Sequence, residues 1–299
     1  MLMRRMVRVV TAVGVAAGVL WSGQTALADG EKGTAVIKGV VKLDGKAPKL
    51  KGISMAADPY CNKQKKRPDP STIAFKDGSL PYVFVYVTSG IDGAYDVPTE
   101  PAEIDQNGCM YKPHVFGMIA GQSLKIINSD ATAHNIHALP KKNSGFNIGQ
   151  TKKGMTALRE GKKTFTRPET MVQIKCDVHP WMSAYCGVLE HPFFGVSGKG
   201  GAFEITELPA GEYEIAAWHE RWGKVTQKVT VGDGETKEIE IVFSKANAQA
   251  APPTRVIYAS MISDGEDTCC GDVEADADAP VSTGETSDTT VPTKVAAGA

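Results

Sequence analysis

The 299-residue chain has almost no charge imbalance: 33 Lys and Arg stand against 34 Asp and Glu, for a formal net charge of −1. A nucleic-acid partner would want a concentrated basic face, and none is written here. Past the first 21 residues there is no second long apolar run, which argues against a membrane span in the remaining chain. No segment shows the 3.6-residue periodicity of an amphipathic helix of useful length, which excludes a helical bundle. Histidine is scarce, at six residues, and there is no defensible Ser-His-Asp pattern, phosphate loop or zinc-protease motif. Oxidase or reductase chemistry at a second, open metal position would need a second histidine cluster, which is also missing. The expectation is therefore that the protein is not an enzyme.

The two ends differ from the middle. Arg4, Arg5 and Arg8 precede an apolar run from Val9 to Trp21, and Ala26-Leu27-Ala28 reads as a small-residue cleavage site before Asp29. Residues 1–28 are thus an expected signal peptide, and the remainder an exported protein, periplasmic or at the cell surface, with no membrane span. Residues 245–299 carry nine acids against Lys245, Arg255 and Lys294 and have almost no aromatics. Such a tail is expected to be disordered and solvating. The body between is close to neutral.

That body reads as strand after strand, with Pro and Gly punctuating about every ten residues, the pattern of an all-β sandwich or barrel. Ala35 to Leu43 alternates and ends at Asp44-Gly45. Tyr82 to Val87 is continuously apolar, as in a strand buried on both faces. Ser123 to Asn128 is another strand, and Val172 to Lys175 leads into Cys176. Residues 51–72, rich in Lys, Pro and Asp, read as an irregular loop. Beyond Gly195 the apolar positions Phe203 and Ile205, then Tyr213, Ile215 and Ala217, then Val229 and Val231, then Ile239, Ile241 and Phe243 suggest an antiparallel meander with one buried face.

Chemistry concentrates in Cys176-Asp177-Val178-His179-Pro180-Trp181-Met182, which places a thiolate, an imidazole and a thioether three residues apart in one loop. His134-Asn135-Ile136-His137 can add a second imidazole. Two His, one Cys and a weak axial Met form the ligand set of a one-electron copper site. Zinc prefers four strong ligands, among which Met does not count. His137 is an alternative to His134. Cys61 and Cys109 lie in turn-like contexts and are expected to pair as a disulfide, a second metal site of Cys61, Cys109 and His114 being the competing reading. Cys186, in an apolar strand pattern, reads as a buried inert thiol. His191, before Pro192 at a strand end, reads as a surface or capping residue, and His219 reads as structural. The adjacent Cys269 and Cys270 are too close for an unstrained mutual bridge.

Two resemblances follow from these residues. Gly39-Val40-Val41-Lys42-Leu43-Asp44-Gly45-Lys46-Ala47-Pro48, with Gly201 to Ile205 and Leu208 to Ile215, resembles the carboxypeptidase regulatory-like (transthyretin-like) β-sandwich family. The segment from about Val115 to Leu189 resembles the cupredoxins, the small blue copper proteins. Its Cys176-x-x-His179-x-x-Met182 loop is similar to the short loop of the amicyanin type, and its Asn128-Ser129-Asp130 and His134-Asn135 to the upstream ligand loop. The resemblance implies a Greek-key cupredoxin sandwich holding one type 1 copper through His134, Cys176, His179 and Met182. Asn135 would tie the two loops together, and an apolar surface around Trp181, Phe193 and Phe194 would serve as electron port. It also implies one-electron transfer between redox partner proteins, with a copper carrier or a surface-binding module using copper structurally as the alternative. The expected division is residues 34–95 as first strands of a split transthyretin-like sandwich, 96–191 as the copper domain and 192–244 as the returning meander, with two sequential sandwiches as the other arrangement.

Overall fold

The computed structural model describes residues 30–64 and 67–244. The expected signal peptide, the acidic tail and Cys269-Cys270 lie outside the described residues. The fold is all-β. The first strand, β1 (Ala35–Leu43), alternates between buried and partly exposed positions and is followed, after a long connection, by β2 (Phe84–Ser89). Nine strands come next: β3 (Ala102–Gln106), β4 (Tyr111–Lys112), β5 (Val115–Ile119), β6 (Leu124–Asn128), β7 (His134–Leu139), β8 (Phe146–Gln150), β9 (Thr156–Arg159), β10 (Glu169–Lys175) and β11 (Ser183–Leu189). The chain then returns through β12 (Phe194–Val196), β13 (Ala202–Leu208), β14 (Gly211–His219), β15 (Gly223–Val231) and β16 (Thr236–Phe243).

Sheet order shows how these segments group. The early and late strands interleave: one sheet runs β13-β1-β16 and another β12-β2-β14-β15. Both contribute to one core that includes Ile37, Val41, Val85, Phe203, Ile215 and Phe243. The nine intervening strands form sheets β5-β11-β10-β7-β8 and β4-β3-β6-β9 around a second core that includes Ile104, Ile126, Ile136, Val172, Ile174 and Val188. The middle of the chain is thus inserted between two strands of the outer sandwich.

β11 explains how the insert is seated. Every one of its residues is buried, although strands with one covered face alternate. Ala184, Cys186 and Val188 point into the inserted core. Tyr185 and Leu189, on the opposite face, pack with Phe84, Tyr86 and Ala216 of the outer sandwich. Both faces are covered, so the strand reads as a continuous apolar run.

Two expectations are corrected. Residues 192–244 do not form an antiparallel meander. β14 and β15 make a hairpin with Gly211 opposite Val231 and His219 opposite Gly223, but β13 and β16 flank β1 in the other sheet, β16 running parallel to it. The apolar faces of β13 and β14 cover the same core from opposite sides, which a single flat sheet could not do. The corner between them is pinned by the Tyr213 hydroxyl, which donates to the Pro209 carbonyl at 2.6 Å.

The 51–72 stretch is also more ordered than an irregular loop. It contains a one-turn helix α1 (Pro59–Asn62) and a short 3-10 turn, Pro70–Thr72. Asp58 caps α1, accepting from the Tyr60 and Cys61 N–H groups, and Pro59 fills the first helical position, where a missing N–H costs nothing. Met55 and Cys61 are buried in the inserted core. The 34–95 span is therefore shared between both cores rather than belonging to the outer one.

Candidate metal centre

Neighbouring strands bring His134, Cys176 and His179 to one place. β10 ends at Lys175 and hands Cys176 to a tight loop closed by two backbone hydrogen bonds, Met182 N–H to His179 O at 2.9 Å and Cys176 N–H to Met182 O at 3.2 Å. β11 leaves directly after Met182. β7 opens with His134 and Asn135, and pairs with β10 in a register that sets His137 opposite Lys175. Regular pairing of neighbouring strands thus places both ligand-bearing segments at the same end of the sheet.

The donor atoms of His134, Cys176 and His179 all lie within 4.8 Å of one another, and all three residues are buried. The two Nδ1 atoms stand 2.8 Å apart, and Cys176 Sγ is 4.0 Å from His179 Nδ1. An ion bonded at about 2.0–2.1 Å to imidazole nitrogen and about 2.3 Å to thiolate sulfur fits among these atoms with shifts of a few tenths of an ångström. Met182 is fully buried in the same core as Cys176. The donor chemistry, soft sulfur with two imidazoles, suits a late first-row metal.

Asn135 links the two segments. Its Oδ1 accepts from Asp177 N–H at 2.7 Å and lies 3.2 Å from Cys176 Sγ, while Nδ2 donates to Asp177 Oδ2 at 2.8 Å and to Asn147 Oδ1 at 2.7 Å. The Tyr111 hydroxyl anchors the Asn135 carbonyl.

The electrostatics favour a thiolate. Burial pushes the Cys176 thiol up, but hydrogen bonds from His134, His179 and the Asn135 and His179 backbone outweigh it and bring it to about 6. Burial opposes the charged form of His134, yet hydrogen bonds to Asp130 and Cys176 outweigh this and raise it to about 9. Both shifts run in the direction that favours a thiolate–imidazolium pair in the metal-free protein.

The outward edges of both histidines are occupied by carboxylates that sequence reasoning missed. His134 Nε2 is 3.0 Å from Asp130 Oδ2, and His179 Nε2 is 3.1 Å from Asp58 Oδ2. Burial opposes the charge on Asp58, but hydrogen bonds from the Cys61 N–H, Thr132, His179 and the Tyr60 N–H bring it down to about 2. Asp58-Pro59 read only as part of an irregular, turn-like stretch, and its contact with His179, 121 residues away, leaves no local signal.

His137 does not join the cluster; it turns outward and pairs with Asp177 at 3.0 Å. Cys61 and Cys109 form a disulfide with S–S 2.04 Å, which removes the competing Cys61–Cys109–His114 metal site in this state. His114 instead lies against the Ser183 carbonyl at 2.9 Å and Glu220 at 2.6 Å. Cys186 is buried, and burial holds its thiol well above the usual range. His219 is buried and pushed down to about 4 by that burial. His191 contacts the Val87 carbonyl.

The proposed aromatic port is corrected. Phe193 belongs to the outer core, and Phe194 packs on Phe84 at 5.4 Å, because β12 pairs with β2. Trp181 alone stays at the site, its ring centroid 4.9 Å from that of His179.

No protein-family model matches the chain, and no curated protein matches it. Solved structures give partial likenesses. A copper-containing nitrite reductase from Thermus scotoductus SA-01 is 19% identical over 36% of this chain and 25% of its own, with a TM-score of 0.28. This chain thus spans about a quarter of that enzyme's length. An amicyanin mutant in the Cu(I) state is 20% identical over 31% of this chain and 86% of its own, TM-score 0.26. A purple cupredoxin from Nitrosopumilus maritimus is 19% identical over 29% of this chain and 98% of its own, TM-score 0.24.

Proposed function

We propose that this protein is an exported type 1 copper protein that passes single electrons between redox partner proteins. The observation that carries the reading is the convergence of His134 Nδ1, His179 Nδ1 and Cys176 Sγ in a buried pocket, with Met182 closing the same loop. A copper ion held there would supply one-electron chemistry, alternating between Cu(II) and Cu(I). The chain's own part is to hold the donors still. Cys176 is stabilised as thiolate by its neighbours, Asn135 fixes the distance between the ligand loops, and the two carboxylates orient the imidazoles from behind. Fixed ligands mean little rearrangement between oxidation states, which is what rapid transfer requires. Export is supported by the N-terminal segment and by the disulfide, which persists in oxidising compartments.

A second reading, copper held structurally or as cargo, is favoured by one observation: His134 and His179 are each only 2% exposed, so no imidazole edge faces a partner. Voltammetry of the copper-loaded chain separates the two. Electron transfer predicts a reversible one-electron wave. A slow or irreversible wave supports the second reading and contradicts the first.

A further inference from the structure

We propose that the Cys61–Cys109 disulfide is a clamp that positions both histidines of the metal centre at once. The inference rests on the reading of His134 and His179 as ligands. Their Nδ1 edges face Cys176; their Nε2 edges face the two turns that carry the bridge. On one side, Asp58 Oδ2 meets His179 Nε2 at 3.1 Å, and Asp58 Oδ1 is held by the N–H groups of Tyr60 at 2.7 Å and Cys61 at 2.9 Å. On the other, Asp130 Oδ2 meets His134 Nε2 at 3.0 Å, and Asp130 is held by the N–H groups of Gly108 and Cys109, each at 2.8 Å. Each backing carboxylate is thus fixed by the backbone of one bridge cysteine, and the Sγ–Sγ bond joins the two halves.

Further contacts draw the arrangement together. Cys61 Sγ lies 3.8 Å from His179 Nε2. The Tyr60 hydroxyl reaches across to Asp130 Oδ1 at 3.4 Å, and Thr132 Oγ1 donates to Asp58 Oδ2 at 2.9 Å. The Trp181 indole N–H donates to the Cys109 carbonyl at 3.0 Å while its ring packs on His179. Cys61 and Cys109 are 48 residues apart in sequence, so the bridge is the one covalent tie between α1 and the turn before β4 other than the long chain itself. A carboxylate that accepts from a ligand imidazole fixes its tautomer and ring plane, and loss of such a partner costs about 10–100-fold in metal affinity. Opening the bridge releases both carboxylates together. With a dithiol as reductant, the Sγ–Sγ bond breaks, two electrons and two protons pass from the dithiol to the two sulfurs, and the dithiol leaves as its cyclic disulfide; the metal takes no part.

The test uses the full chain and three variants: the double variant C61A/C109A, and D58N and D130N with the bridge intact. The first readout is the imidazole nitrogen and proton resonances of His134 and His179 in metal-free protein. The second is Cu(II) affinity by competition with a chelator. The clamp predicts one sharp set of imidazole signals in the native protein and broadened or multiple sets for both histidines in C61A/C109A. It also predicts that D58N disturbs His179 and D130N disturbs His134, and that copper binds about 10–100-fold more weakly in the double variant. Unchanged imidazole signals and affinity in C61A/C109A, with only a lower melting temperature, would overturn it by making the bridge a simple staple. If the double variant does not fold, D58N and D130N decide by the same criteria. The imidazole effects in the variants, together with native protein that binds no copper, would defeat the ligand reading and leave the clamp standing.

Discussion

Cys176 and His134 decide how the site meets a metal. A thiol brought down to about 6 and an imidazole raised to about 9 are two views of one thiolate–imidazolium pair. Metal binding must displace the His134 proton, since only a neutral imidazole nitrogen is a ligand. Between pH 6 and 9 binding should therefore release about one proton from this pair, and affinity should fall about tenfold per pH unit as pH drops. Below pH 6 Cys176 is protonated as well, so the release grows and the fall steepens; above pH 9 His134 is already neutral and the release shrinks. A pH-stat titration with Cu(II) measures this directly, and release that stays the same from below pH 6 to above pH 9 would refute the pair. The three donors that converge were readable in sequence, because Cys176 and His179 share one loop and His134 stands at a strand start. Asp58 and Asp130 were not, because a carboxylate behind an imidazole is defined by tertiary approach and leaves no local spacing.

Strands carry the site through their pairing, and β11 couples it to the rest. Gly187 lies at its centre, where a Cβ would run into the Phe84 ring of β2. Phe84 is fully buried, so the ring has no room to retreat. Gly187→Ala should therefore destabilise the protein by about 1–3 kcal/mol through overpacking, read as a shift in the denaturant midpoint. A neutral result would mean that the insert and the outer sandwich are not tightly packed at this strand. Alternation made β1, β6 and β10 legible as strands, and the apolar run from Tyr82 marked β2. Which sheet each late strand joins was not legible. Phe203 and Tyr213 both read as one buried face, and only the tertiary fold shows that those faces oppose each other across a core.

At the scale of the molecule, the strands that carry the candidate site are an insertion held at both ends by one sandwich. The buried contact between His114 and Glu220, at 2.6 Å, ties the strand pair beside Met182 to the end of β14. All-β character followed from Gly and Pro spacing. The insertion could be posed from the similar strands on either side of the Cys176-bearing segment, but the parallel pairing of β1 with β16 depends on strands about two hundred residues apart. The outer sandwich also supplies, through the connection after β1, the helix α1 that backs His179. The site is thus a product of the whole chain and not of the inserted strands alone.

If the Cys176 thiolate and the two imidazoles bind a single copper ion, titration of the full chain with Cu(II), followed by visible absorption, should give an intense thiolate-to-copper charge-transfer band. The band should saturate at one ion per chain and vanish in Cys176→Ser. A colourless copper-loaded protein, or a band that survives that substitution, would rule out copper binding through Cys176.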